Sequence, residues 1–326
     1  MTTLTGTILD GSNNVFDVAC EDDDGIHQWQ CTLKSKRLTT DTSYYNPLAP
    51  GDRVIIAPIG SDDKKGQILS LVPRKNAFVR WNVKGRCPQI LAANIDNLLL
   101  VTTPDEPPFR ARFIDRELAQ AERQELSPII LVNKYDLPAA QDEDFQNRLL
   151  VWQEIGYRVV RVSARTGEGL PELAELLQDK LSAFVGQSGV GKSSLINVLD
   201  SSCVLRTGSL SQKYGRGTHT TTKGALLRVH LNEALVDGLP NVYASIIDTP
   251  GVRRFVLHGI ASHELALYFR EMRPLLGQCA YGMSCTHQSE AGCKILEAVY
   301  AGAINEERYH SWKRIAEEIS TGSWSD

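Results

Sequence analysis

Residues 186–193 read Gly-Gln-Ser-Gly-Val-Gly-Lys-Ser, a complete match to the pattern G-x-x-x-x-G-K-S/T. The pattern works only as a loop between a strand and a helix. Its glycines let successive backbone N–H groups turn inward around an anion without Cβ clashes. The surroundings agree: Ser182–Val185 has the content of a short strand, and Lys192–Leu199 reads as a helix whose N-terminus faces the anion. Gly186, Gln187, Ser188, Gly189, Val190, Gly191 and Ser194 then form the cradle of a phosphate site. Lys192 reaches the β/γ-phosphates, and the Ser193 hydroxyl ligates Mg²⁺.

Three further motifs belong with this loop. Asp248-Thr249-Pro250-Gly251 follows the apolar run Val242–Ile247, so it sits at the carboxyl end of a strand, where open α/β sheets bind ligands. Asp248 would hold Mg²⁺, and the Gly251 N–H would face a γ-phosphate. Asn133-Lys134-Tyr135-Asp136 follows Pro128–Val132. A carboxylate at Asp136 accepts from both N1–H and the exocyclic amine of guanine, a donor pair that adenine lacks. Lys134 would lie over the base and Asn133 would brace the loop. Ser163-Ala164, after the strand Arg158–Val162, offers the Ala164 N–H as a second guanine contact. Each motif alone is a common turn; four, each after its own strand, describe a guanine-nucleotide site. Their order is rotated, because both base-reading loops precede the phosphate loop.

The residue after Asp248–Gly251 is Val252, which cannot orient an attacking water as a glutamine would. Arg216–Thr222 lies where the first switch belongs. Thr221 is the favoured switch ligand to Mg²⁺, with its threonine neighbours as alternatives. His219 is the candidate for orienting water.

Residues 4–73 read as five short strands: Thr5–Leu9, Val15–Ala19, Gln28–Leu33, Arg53–Ala57 and Gly66–Val72. Turn residues separate them, which suits a small barrel of the OB type, with an SH3-like barrel as the alternative. Arg74 to Arg86 is basic, with Phe78 and Trp81 interleaved, and reads as a linker able to meet RNA phosphates or as a solvated connector. Strand and helix signals alternate from Ile95 to Ile247, with helices clearest at 112–125 and 171–181.

The last third holds Cys279-x5-Cys285-x-His287-x5-Cys293, four ligands within 15 residues, the donor set of a closed Cys₃His zinc site. Helical patterns flank it at 263–276 and 306–319. Seven cysteines, an odd number, do not suggest disulfide scaffolding but a reducing cytoplasm. No apolar run is long enough to span a membrane, and no secretory leader is evident. The net charge of −4 argues against indiscriminate nucleic-acid binding, so RNA contact would fall to local basic stretches such as Lys34–Arg37.

Together these segments resemble the circularly permuted GTPases that act in maturation of the small ribosomal subunit, the RsgA (YjeQ) family. Ala92–Asp96, Pro107–Phe109, Ile114–Arg116, Gly186–Ser194, Gly217–Thr222, Asp248–Arg253 and the cysteine cluster carry the likeness. The resemblance implies an OB barrel at 1–75, a basic linker at 76–90, a permuted GTPase domain at 91–258 and a mainly helical zinc-binding domain at 259–326. It also implies a cytoplasmic, monomeric enzyme that hydrolyses GTP to GDP with Mg²⁺, carries one structural Zn²⁺, binds 16S rRNA and is stimulated by the 30S subunit. His219 takes the role of the absent glutamine. Two other readings share the motifs: a module whose RNA affinity GTP sets, and a permuted GTPase of the large subunit.

Overall fold

A computed structural model describes residues 3–12, 14–22, 25–33, 44–60, 64–200 and 224–324. Five strands, β1 (Leu4–Ser12), β2 (Val15–Asp22), β3 (Gly25–Leu33), β4 (Arg53–Pro58) and β5 (Lys65–Leu71), close into a barrel in the order β1-β2-β3-β5-β4. β1 pairs with both β2 and β4, which removes the free edge. β3 runs parallel to β5. Ile8, Val18, Val54, Ile56 and Ile68 fill the interior.

The basic stretch is not a free connector. β6 (Ala77–Asn82) and β7 (Cys87–Ala93) form an antiparallel hairpin. Phe78 is buried and stacks on Phe255, so it is not available to a base, and Trp81 stacks on His258. Alternation of apolar and polar residues over 79–82 is the period of a half-buried strand, which the count of basic residues obscures. The barrel docks on this hairpin. Ala93 N donates to Pro50 O at 3.0 Å, and Asn94 Nδ2 donates to Gly51 O at 2.9 Å.

The central sheet has the order β10-β9-β8-β11-β13-β12, comprising β8 (Asn97–Thr102), β9 (Pro128–Val132), β10 (Arg158–Arg161), β11 (Leu181–Gly186), β12 (Ala225–His230) and β13 (Tyr243–Asp248). Only the edge strand β12 is antiparallel to its neighbour. Side chains alternate between the two faces: Leu98 and Leu100 join one core, Leu99 and Val101 the other. Helices α1 (Ala111–Arg123) and α2 (Glu143–Glu154) cover the first face; α3 (Leu170–Leu177) and α4 (Lys192–Leu199) cover the second. The chain moves outward through β8, β9 and β10, then returns to the other side of β8 as β11. This reversal between β8 and β11 is the switch point at which such sheets bind ligands.

Beyond β13 the chain forms short 3-10 turns, including Ser262–Tyr268 and Arg273–Leu275, then α5 (Lys294–Tyr300) and α6 (Glu306–Thr321). The helix expected at 263–276 is therefore replaced by two separate turns. Phe269 is extended between them, and Pro274 removes a backbone donor and disfavours helix at the residue before it. This segment has no core of its own. Phe255, Phe269, Met272, Ile295, Trp312 and Ile315 join one cluster with α1, α2 and the first face of the sheet. No helix among the described residues is long and apolar enough to cross a membrane.

Candidate nucleotide site and metal centre

Asn133 ties three loops together. Its Nδ2 donates to Val190 O in the phosphate loop at 2.9 Å, and its Oδ1 accepts from Ala164 N at 3.2 Å. Gly191, at φ +88°, makes this possible, since a Cβ there would fall 2.3 Å from Asn133 Nδ2. The Ala164 N–H, expected to face guanine, is here engaged by Asn133. Asp136 accepts from the Ser163 hydroxyl and pairs with Arg165 Nη2 at 2.5 Å. Those contacts, the Ser163 bond foremost, hold its carboxyl below the usual range, so it is an ionised acceptor. The Lys134 ammonium donates to the carbonyl of Glu106, in the loop after β8. Pro107 of that loop packs 3.5 Å from where a Gly189 Cβ would lie. The 104–109 loop therefore flanks both the phosphate loop and the base-reading loop.

Gly186, Gln187, Ser188, Gly189, Val190 and Gly191 form the turn from β11 into α4, whose first residues are Lys192, Ser193 and Ser194. Lys192 is buried and donates to Gly186 O and Gln187 O, each at 3.1 Å. Burial lowers its proton affinity, while Asp248 and Glu117 oppose that. A phosphate would compete with the loop carbonyls for this ammonium.

Asp248 ends β13 beside α4, and its Oδ2 accepts from Ser193 Oγ at 3.4 Å. Oδ1 is buried without a hydrogen-bond partner among the described residues. Burial pushes the Asp248 carboxyl up to about 6, against the pull of Lys192 and Ser193. A hydroxyl beside an unsatisfied buried carboxylate is a donor set that fits Mg²⁺, which takes one or two carboxylates and completes its shell with phosphate and water. Gly251 lies so close to the phosphate loop that a Cβ would meet Ser188 Cα at 2.6 Å. Val252 donates its N–H to Gly186 O at 3.2 Å, and its side chain is buried in the core, away from any water-orienting role. His219 and Thr221 lie outside the described residues.

Cys279, Cys285, His287 and Cys293 are all buried, and their ligand atoms lie within 4.8 Å of one another. His287 Nδ1 is 3.6 Å from Cys279 Sγ and 3.5 Å from Cys293 Sγ, and the two sulfurs are 3.9 Å apart. A tetrahedral zinc centre with ordinary bond lengths has edges of about 3.6 Å (S to N) and about 3.8 Å (S to S). The cluster can hold a metal ion. Burial pushes the Cys285 thiol up to about 12, so a bound dication is what would make these sulfurs thiolates. The surrounding loop is held independently. Glu290 accepts from Thr286, Gln288 and Ser289, and Tyr309 Oη donates to the His287 carbonyl at 2.8 Å.

No motif in the sequence points to Glu117. Glu117 is fully buried on α1 and interacts electrostatically with Lys192. The available signal was the run Asp115-Arg116-Glu117 set between Phe113-Ile114 and Leu118-Ala119, three charges inside an apolar helix.

Known proteins share this arrangement. The model of the RsgA GTPase family matches residues 71–258. The small ribosomal subunit biogenesis GTPase RsgA of Chlorobaculum parvum is 40% identical over 283 residues, 84% of this chain and 86% of that protein. Its counterpart in Borrelia recurrentis is 34% identical over 319 residues, 98% and 96% of the two chains. The crystal structure of YjeQ from Thermotoga maritima superposes with a TM-score of 0.70 at 29% identity, covering 98% of this chain and 99% of that one. YloQ, described as a circularly permuted GTPase, has the same fold, with a TM-score of 0.67 at 24% identity. With its rotated motifs assembled on one sheet edge and its relatives matched over nearly their whole length, the chain belongs to the RsgA GTPase family.

Proposed function

We propose that this protein hydrolyses GTP in the biogenesis of the small ribosomal subunit, and that binding to the 30S particle accelerates the reaction. The observation that carries this reading is the Asn133 bridge, which joins the base-reading loops to the phosphate loop at the sheet's switch point. In this scheme Asp136 reads guanine, and Asn133, Ser163 and Ala164 fix the loops around it. Lys192 and the amides of residues 186–194 neutralise phosphate charge as it shifts toward the leaving group. Ser193, Asp248 and Thr221 would hold Mg²⁺, which when bound would supply positive charge beside the phosphates. His219 orients the attacking water, since Val252 faces the core.

The Cys279, Cys285, His287 and Cys293 set holds one structural Zn²⁺. The protein acts as a cytoplasmic monomer that binds 16S rRNA, with the barrel and the 259–326 module flanking the GTPase domain. Ribosomal subunit naming among the relatives favours this reading over a GTP-gated RNA-binding module. Co-sedimentation tests the partner. GTP-bound protein should pellet with 30S and not 50S particles; preference for 50S would overturn the assignment.

A further inference from the structure

Glu117 is completely buried, and neither carboxylate oxygen has a hydrogen-bond partner among the described residues. Native folds rarely leave such a group unpaired without a use. Its companions on α1 show what this helix face meets, because residues 117, 120 and 124 lie on one side. Gln124 exchanges two hydrogen bonds with the backbone of Val79, at 3.0 and 3.2 Å. Gln120 does the same with the backbone of His258, at 2.7 and 3.2 Å. Glu117 is the next rung, toward the start of the helix, and it has no backbone partner.

Its charged neighbours are Lys192 of the phosphate loop and Arg80 of β6, with Asp248 acting on Lys192 from β13. Arg80 donates to Gln89 Oε1 at 3.2 Å and reaches the Arg254 carbonyl at 3.5 Å, while its buried Nε has no hydrogen-bond partner among the described residues. Arg254 and His258 bound the strap that follows Asp248–Gly251, and the strap is also held by Trp81 N donating to Val256 O at 3.0 Å. Glu117 thus interacts electrostatically with both the lysine that meets phosphate and the arginine that meets the strap.

We propose that Glu117 is a positioning residue that couples phosphate occupancy at Lys192 to the 254–258 strap, taking up a proton from solvent when a nucleotide binds. This rests on Lys192 being the phosphate ligand. Phosphate oxygens place negative charge across Lys192 from Glu117 and take over its ammonium. An ionised Glu117 then loses its main compensating charge and gains a like-charged neighbour, both of which favour the acid form. Once neutral, Glu117 no longer attracts Arg80, whose 3.5 Å contact with the Arg254 carbonyl shortens, and the strap tightens. Burial already favours the acid form of this carboxyl, against the pull of Lys192 and Arg80. The sign follows from linkage. The bound state holds the proton more tightly, so nucleotide affinity is greatest at low pH. It falls, by no more than about tenfold per unit, as pH rises through the free protein's Glu117 midpoint.

The test is the infrared difference spectrum on adding GDP, recorded at several values between roughly pH 6 and 9. Glutamate-specific isotope labelling separates Glu117 from Asp248, and a carboxyl band is distinct from the Lys192 ammonium. Wild type should gain a protonated-glutamate band that Glu117→Gln lacks. Trypsin cleavage at Arg253 and Arg254 should be suppressed by GDP in wild type, and suppressed with or without GDP in Glu117→Gln. Absence of the band at every pH, or the same band in Glu117→Gln, would overturn the proposal. If the variant does not fold, the labelled wild-type spectrum still decides. Lys192→Ala retaining GDP affinity would instead mean that the phosphate site is misassigned.

Discussion

Arg116 and Glu318, 202 residues apart, meet in a two-pronged ion pair inside the protein. Arg116 Nε donates to Glu318 Oε2 at 3.1 Å, and Nη2 reaches both oxygens at 2.6 and 2.7 Å. The two side chains are 1% and 2% exposed. Almost three turns of α6 away, Arg308 pairs with Asp115 and, at 2.8 Å, with Glu271; Trp152 Nε1 also donates to Asp115 at 3.0 Å. The C-terminal segment that carries α6 is therefore clamped to α1. Placing the second switch directly before this module suggests a lever pulled by γ-phosphate loss. The shared core and buried ion pairs instead make the two parts one packed unit, with the strap 254–258 as the segment between them.

Removing one partner of the clamp should be severe. Arg116→Met leaves the Glu318 carboxylate buried without its arginine, and should lower unfolding free energy by about 3–5 kcal/mol. Arg116→Met with Glu318→Leu should recover most of that loss. Urea unfolding of both single variants and the double variant measures the coupling; additive losses would show that the pair does not act as a unit.

Lys192→Ala should weaken GTP and GDP binding by at least about 100-fold, since two charge-assisted hydrogen bonds of about 1.5–3 kcal/mol each are lost. Asp136→Asn should lower GTP affinity by a similar factor and favour xanthine nucleotides, because the donor–acceptor pattern inverts. Titration with fluorescent nucleotides reads both variants. Unchanged GTP selectivity in Asp136→Asn would remove Asp136 from base reading.

Mg²⁺ dependence should carry the signature of Asp248. With its carboxyl held up at about 6 by burial, the metal must displace a proton below that pH. Apparent Mg²⁺ affinity should be level above about pH 7 and fall by up to about tenfold per unit below 6. Calorimetric titration of the GDP-bound protein across this range tests the sign.

The metal cluster should behave the same way for the same reason. Its thiols are raised by burial, so metal affinity should fall as pH drops. Chelation, or Cys285→Ser, should destabilise the 259–326 module. Because Ile295, Trp312 and Ile315 share the core of the GTPase domain, thermal unfolding of the whole protein should shift with it. Metal analysis of the purified protein should return one zinc per chain.

Much of this was legible because local chemistry dictates it. The phosphate loop demands strand–loop–helix, and β11 and α4 supply it. The donor set from Cys279 to Cys293 closes into one cluster because its spacing is short. What escaped depends on long-range packing. Phe78 and Trp81 read as a possible RNA contact, yet their place is against Phe255 and His258, which no local pattern encodes. The 263–276 segment has helical content but is pulled into turns by burying Phe269 and Met272 around Pro274. Glu117 belongs to no motif, and its burial follows only from α1 being covered on all sides.

The central claim is that this permuted site is a GTPase awaiting the small subunit. Steady-state GTP hydrolysis against a titration of purified 30S subunits tests it most directly, with His219→Ala alongside. The account predicts slow turnover alone and saturable stimulation by 30S but not 50S. It also predicts that His219→Ala binds nucleotide normally and loses about 10²- to 10⁴-fold of the stimulated rate. A wild-type rate that does not respond to 30S subunits would contradict it.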